Sequence, residues 1–163
     1  MCGRLALVLG GVLCTSGPLS AQPTPAEAGQ FEVAVAAGQR IVASIWFRNG
    51  EEPVSGRIED AVSGDLVQGF SDREDTPGMA ACGPSVHYSA LACDFETTAA
   101  TARTFRFRVG RNPASGGWEP ALLTATPGDD DCHVVFENEF ASWEIAVLTG
   151  GTCTATAPIW TAR

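Results

Sequence analysis

The sequence predicts an all-β chain: an antiparallel β-sandwich, immunoglobulin-like or jelly-roll in kind, held by two disulfides. Three observations predict it. About nine or ten short runs alternate apolar and polar residues, with turns between them, at the spacing of a sandwich or barrel. No segment repeats apolar residues at helical spacing across three turns with caps. Of the six cysteines, Cys2 and Cys14 fall in an N-terminal export segment, which leaves an even set of four.

The export segment comes first. Arg4 is the only early charge, Leu5 to Leu13 is an unbroken apolar run, and Cys14 to Ala21 is small and polar with a breaker at Pro18. That is the layout of a secretory signal, with cleavage expected after Ala21. The run is too short to span a bilayer, which takes roughly 20 apolar residues, and no later segment is long enough either. The expected organisation is a signal peptide over 1–21, a flexible leader over 22–29 and one sandwich domain over 30–163. Export places the protein in the periplasm or outside the cell. There an even cysteine count reads as disulfides. Three pairings of Cys82, Cys93, Cys132 and Cys153 are possible. Cys82–Cys93 and Cys132–Cys153 are expected, because each pair brackets a hairpin.

The strands follow in order. Phe31, Val33 and Val35 share one face of the first, with Glu32 opposite. Ile41 to Phe47 is bulky on both faces, which suits a central strand. Asn49-Gly50 then gives a turn signal. Gly56 to Val62 sets Arg57, Glu59 and Ala61 against Ile58 and Asp60. Leu66 to Phe70 follows the Ser63-Gly64-Asp65 turn, and Val86 to Glu96 is strand-like. Thr104 to Val109 alternates most cleanly, with Phe105, Phe107 and Val109 opposite Arg106 and Arg108. Ala121 to Thr126, His133 to Glu137, Trp143 to Leu148 and Thr152 to Ile159 complete the set. Glu137 to Ala141 has room for one helical turn.

The formal net charge is −9, and every one of the ten cationic side chains is arginine. This balance argues against duplex nucleic acid and against an anionic membrane surface, both of which require basic protein. Catalytic constellations are absent. There is no Gly-x-Ser-x-Gly elbow, no His-Glu-x-x-His and no phosphate-cradling glycine loop.

Three sets of residues are candidates for a site. Asp129, Asp130 and Asp131, with His133 beside them, present oxygen ligands of the kind calcium takes; a solvated acidic turn is the plainer reading. Arg106 and Arg108 on one strand face, flanked by Arg103 and Arg111, suit carboxylate or phosphate recognition or else pair with neighbouring acids. Trp118 follows Ser115-Gly116-Gly117 in a loop, where an exposed indole can stack on a sugar or anchor a protein. Trp46 and Trp143 read as core, and Trp160 as closing the core.

Phe31 to Val67, with Ala37-Gly38-Gln39 between two strands and Ser63-Gly64-Asp65 breaking a later one, resembles the bacterial pre-peptidase C-terminal domains. These are small secreted β-sandwiches often appended to hydrolases. The resemblance implies a sandwich with a binding or accessory role and carries over no site residue. The closing Gly-Thr-Tyr type strand of those domains has no counterpart, since the single tyrosine is Tyr88. The expected function is non-enzymatic: recognition of a protein or glycan at the cell envelope. The alternatives are a small secreted hydrolase or calcium-dependent protein using Asp129–Asp131, and a structural subunit of a surface assembly.

Overall fold

The computed structural model describes residues 26–48, 50, 52–85, 90–127, 133–153 and 160–163. They form fifteen strands and no helix. In chain order these are β1 (Ala26–Ala28), β2 (Phe31–Val35), β3 (Arg40–Phe47), β4 (Val54–Asp60), β5 (Leu66–Ser71), β6 (Ala80–Ala81), β7 (Gly83–Pro84) and β8 (Leu91–Thr98). Then come β9 (Arg103–Arg111), β10 (Glu119–Pro120), β11 (Leu123–Pro127), β12 (His133–Glu137), β13 (Ala141–Thr149), β14 (Thr152–Cys153) and β15 (Trp160–Ala162).

The strands make two sheets, neither closed into a barrel. Sheet I runs β1-β11-β12-β13-β3-β8-β7, with β14 on β13. Sheet II runs β15-β2-β9-β4-β5-β6, with β10 on β9. Pairing between the described strands is antiparallel except for the short parallel contact of β5 with β6.

Alternation along the strands supplies the packing. Phe31, Val33 and Val35 of β2, Phe105, Phe107 and Val109 of β9, and Ile41, Ala43, Ile45 and Phe47 of β3 are all buried. Full burial of each large apolar side chain is worth roughly 1.5–3 kcal/mol. Their rings meet across the gap between the sheets. Phe31 stacks on Phe136 with centroids 4.3 Å apart, and Phe107 and Phe70 meet Trp143 edge-on at 5.3 and 6.0 Å. The indole of Trp143 donates to the Arg108 carbonyl at 3.2 Å, so its one polar atom is satisfied. Trp160 lies edge-on to Phe31 and Phe136, closing the core at β15.

At Gly56 the two sheets pack closely. A Cβ there would collide with Ile45 Cδ1 and lie 2.8 Å from the Trp143 ring. Only a residue without a side chain fits.

Several expectations are corrected. Ala26–Ala28, expected in a flexible leader, pairs with β11 as β1 and buries Ala28. Glu137 to Ala141 is a tight turn between β12 and β13, not a helical turn. The Asn138 side-chain oxygen accepts from the backbone N–H groups of Phe140 and Ala141 at 3.0 Å each, so the local bonds go to an Asx turn. The strand expected over Gly56 to Val62 runs from Val54 to Asp60. The Asp60 carboxylate ends it by accepting from the N–H groups of Val62 and Ser63. Trp46, expected in the core, points to the outer face of sheet I between Ala92 and Ser142 and is half-buried.

The Cys82–Cys93 disulfide is present, with Cα atoms 5.1 Å apart. It brackets the β7–β8 hairpin, as expected. It also sits where the chain passes from the edge of sheet II to the edge of sheet I, so it ties the two layers together. It is the one bridge that can be traced from sulfur to sulfur among the described residues. Cys132 lies outside them, and with it the Cys132–Cys153 pairing; Cys153 itself is not a free thiol.

Candidate functional site

The outer face of sheet II is built from the alternate positions of β2, β4, β5 and β9. Register places Ser55 opposite Gly110, Arg57 between Gly69 and Arg108, and Arg106 between Glu59 and Glu32. The face is therefore a row of small residues, a row containing two arginines, and a row alternating acid and base.

Two loops cover parts of it. Between β9 and β10 the chain turns through Gly116 and Gly117, both left-handed at φ of 88° and 92°. Few side chains tolerate that backbone, and the turn returns Trp118 onto the sheet. The indole seats on Gly110, where a Cβ would collide with its Cε2 and lie 2.6 Å from its Nε1. Trp118 Nε1 donates to Ser55 Oγ at 3.0 Å, and Asn112 Nδ2 donates to the same oxygen at 3.0 Å. From the other side Met79 lies over Gly69, where a Cβ would meet its sulfur. Arg57 lies in the row between these covers.

Trp118 carries two cations. The guanidinium carbons of Arg57 and Arg108 lie 4.2 and 4.5 Å from its ring centroid. Two like charges side by side repel, and the negative face of the indole offsets part of that. Trp118 is half-buried. It is thus neither a bare platform nor a core residue.

The arginines differ in how they are neutralised. Arg106 bonds Glu32 at 3.2 Å, reaches Glu59 at 3.7 Å and donates to the Ala61 carbonyl at 2.9 Å. Arg108 pairs with Glu59 at 3.4 Å. At the ends of β9, Arg103 pairs with Asp60 at 3.0 Å and Arg111 with Glu52 at 3.3 Å and Glu119 at 3.7 Å. Arg57 is the exception. Among the described residues it is the one arginine with no carboxylate within ion-pair distance; its buried Nε has no hydrogen-bond partner, as is also true of Arg103 and Arg108. Its cross-strand neighbours are Gly69 and another arginine, and the nearest acid, Glu59, is already shared by Arg106 and Arg108. Burial lowers the Arg57 pKa from its ordinary value; Glu59 opposes this and Arg108 adds to it. The group stays protonated at any working pH, so it is a charge with no carboxylate in ion-pair distance among the described residues, felt only at longer range by Glu59.

At the neighbouring turn, the N–H groups of Ser63 and Val62, and then Arg103, hold the Asp60 carboxyl below the usual range.

Of the expected site residues, Trp118 and Arg108 are brought together. Arg106 stands one row away and is consumed by Glu32 and Glu59. Arg111 sits at the strand end among Glu52 and Glu119. Arg57 was not anticipated as a site residue; its signal is its alternation in β4 with Glu59, but the pairing that sets it beside Arg108 is not visible in sequence. Asp129, Asp130 and Asp131 lie outside the described residues. His133 begins β12, is half-buried and has an interaction of its own. No cluster of three or more potential metal ligands occurs among the described residues.

Comparison with protein-family models, with curated proteins and with solved structures gives no match for this chain. The functional reading therefore rests on the chemistry of the sheet face itself.

Proposed function

We propose that this chain is an exported, non-enzymatic binding domain that recognises a protein or glycan at the cell envelope through the outer face of sheet II. The observation that carries the proposal is the Arg57–Trp118–Arg108 assembly, in which an aromatic ring fixed by Ser55 and Gly110 holds two cations, one of them with no carboxylate in ion-pair distance among the described residues. Two guanidinium groups set side by side repel, and the ring offsets only part of that, so stability alone does not call for this pairing, which supports a surface kept for recognition. Rigid sheet positions also hold the groups in place without an ordering penalty on binding.

Export is supported by the Met1–Ala21 layout and fits the Cys82–Cys93 bridge, since disulfides persist in oxidising compartments. A second bridge, Cys132–Cys153, and an immunoglobulin-like or jelly-roll arrangement of the sandwich belong to the same proposal. So does the accessory role implied by the likeness to pre-peptidase C-terminal domains.

Two measurements test the proposal. The mature protein recovered from outside the cytoplasm should begin at Gln22. Purified wild-type protein should bind isolated envelope polysaccharide or surface protein, and Trp118→Ala should bind it at least about tenfold more weakly, as loss of a central aromatic anchor predicts. Equal binding by the variant removes this face from the function.

A further inference from the structure

We infer that Arg57 is the anchor for a carboxylate carried by an acidic glycan; the inference rests on the binding reading above and names its ligand class. On this face four guanidinium groups, those of Arg57, Arg106, Arg108 and Arg163, meet two carboxylates, Glu32 and Glu59. The face is locally cationic in a chain whose formal net charge is −9. The net charge repels an anion at long range, and this face is a place where local cationic charge offsets that repulsion.

The ligand group follows from what Arg57 lacks. A guanidinium presents a planar fork of donors matched to the two oxygens of a carboxylate. Every other described arginine already has such a partner. Among the described residues Arg57 has the face of Trp118, 4.2 Å from its guanidinium carbon, and no carboxylate within ion-pair distance, so its terminal nitrogens are the donors left for a ligand.

The polymer class follows from where the site lies. Arg57 and Arg108 sit on β4 and β9, and both strands are paired on each side within sheet II. Their backbone groups are satisfied, so an extended peptide cannot add here as a further strand, the usual way a sheet captures a peptide. Recognition on this face falls to side chains alone: the Trp118 ring, whose Nε1 is bonded to Ser55, and the charge of Arg57 beside it. A sugar acid is read by such groups.

The test is calorimetric titration at low salt with three probes: an oligogalacturonate, its fully methyl-esterified counterpart, and poly-glutamate. Wild type, Arg57→Gln, Arg57→Lys, Trp118→Ala and Arg40→Gln are compared, with each fold checked by near-ultraviolet circular dichroism. Wild type and Arg40→Gln are expected to bind the oligogalacturonate alike. Arg57→Gln and the ester should each weaken binding at least about tenfold, the worth of one charge-assisted pair. Arg57→Lys should fall between them, because a point charge lacks the fork.

The inference is overturned if no oligogalacturonate binding occurs, if the ester binds as well as the acid, or if Arg57→Gln binds like wild type. Poly-glutamate bound equally tightly, with the same dependence on Arg57, would replace the glycan by an acidic protein. Failure of the inference is distinct from failure of the binding face. If the ester binds and Trp118→Ala weakens it, the face stands and the anion falls. If Trp118→Ala leaves all binding intact, both fall.

Discussion

Gly110→Ala is the substitution that most cleanly separates the binding face from the fold. Gly110 lies in β9 with ordinary extended backbone, because its φ is not among the positive ones. In an open strand such a replacement would stabilise, since glycine is worse than alanine there by roughly 0.5–1 kcal/mol. Here the new Cβ would collide with Trp118 Cε2 and sit 2.5 Å from the Glu119 carbonyl oxygen. Neither group is the loose end of a flexible side chain, so the indole must leave its seat. It then loses the hydrogen bond to Ser55, worth about 1 kcal/mol, and two cation–π contacts worth about 0.5–1 kcal/mol each. The expected net loss is about 2 kcal/mol, or a fall in melting temperature of roughly 4–10 °C for a domain of this size. The inner face of β9 is untouched, so the variant should remain folded. Urea unfolding at 25 °C, followed by circular dichroism with tryptophan emission in parallel, reads both effects. Emission should shift as Trp118 becomes solvated. A variant that is more stable than wild type, with unchanged emission, would refute the seating of Trp118 on Gly110, because the sign of the change is what the collision decides.

Arg57→Met should retain or raise the melting temperature, by the equivalent of about 0–1 kcal/mol, since it removes a partly desolvated charge with no ion-pair partner while keeping the apolar stem; a marked drop in a thermal scan would mean Arg57 is structural. Gly56→Ala should lose about 1–3 kcal/mol in urea unfolding, from overpacking against Ile45 and Trp143; a loss under about 0.5 kcal/mol would mean the sheets are not in close contact there. Cys82→Ser with Cys93→Ser should lose about 3 kcal/mol, the loop-closure entropy of a bridge between residues 11 apart; an unchanged urea midpoint would show that the layers are held without it.

Much of the sandwich was legible in the sequence because its strands are polar on one side. Phe31–Val35 and Phe105–Val109 alternate strictly, and their inward faces are the residues that period two selects. Legibility ended where both faces are apolar. In β3 the sign is weak: period two sets Trp46 on the side of Arg40 and Ser44, but the bulk of Val42 and Trp46 masks it, and the burial pattern shows that side outward. The β1 strand was hidden for another reason. Ala26–Ala28 carries no β-branched or aromatic residue and becomes a strand because an edge of β11 is there to pair with it. The site was half legible. Arg108 and Trp118 stand out by residue type and loop position. Arg57 does not, because its meaning comes from two non-local facts: it lies opposite Arg108, and Glu59 is already taken by Arg106 and Arg108. Sequence separation between β4 and β9 conceals both.

Ligand is expected to meet the protein on the outer face of sheet II around Trp118. Nuclear magnetic resonance of the tryptophan side chains tests it most directly, because the indole N–H signals report four separate places on one molecule. Titration with the oligogalacturonate should move the Trp118 Nε1–H signal, which is bonded to Ser55. The core Trp143 signal, and that of Trp46 on the opposite sheet, should stay in place. Movement of Trp46 with a stationary Trp118 would place the ligand on sheet I and contradict the account.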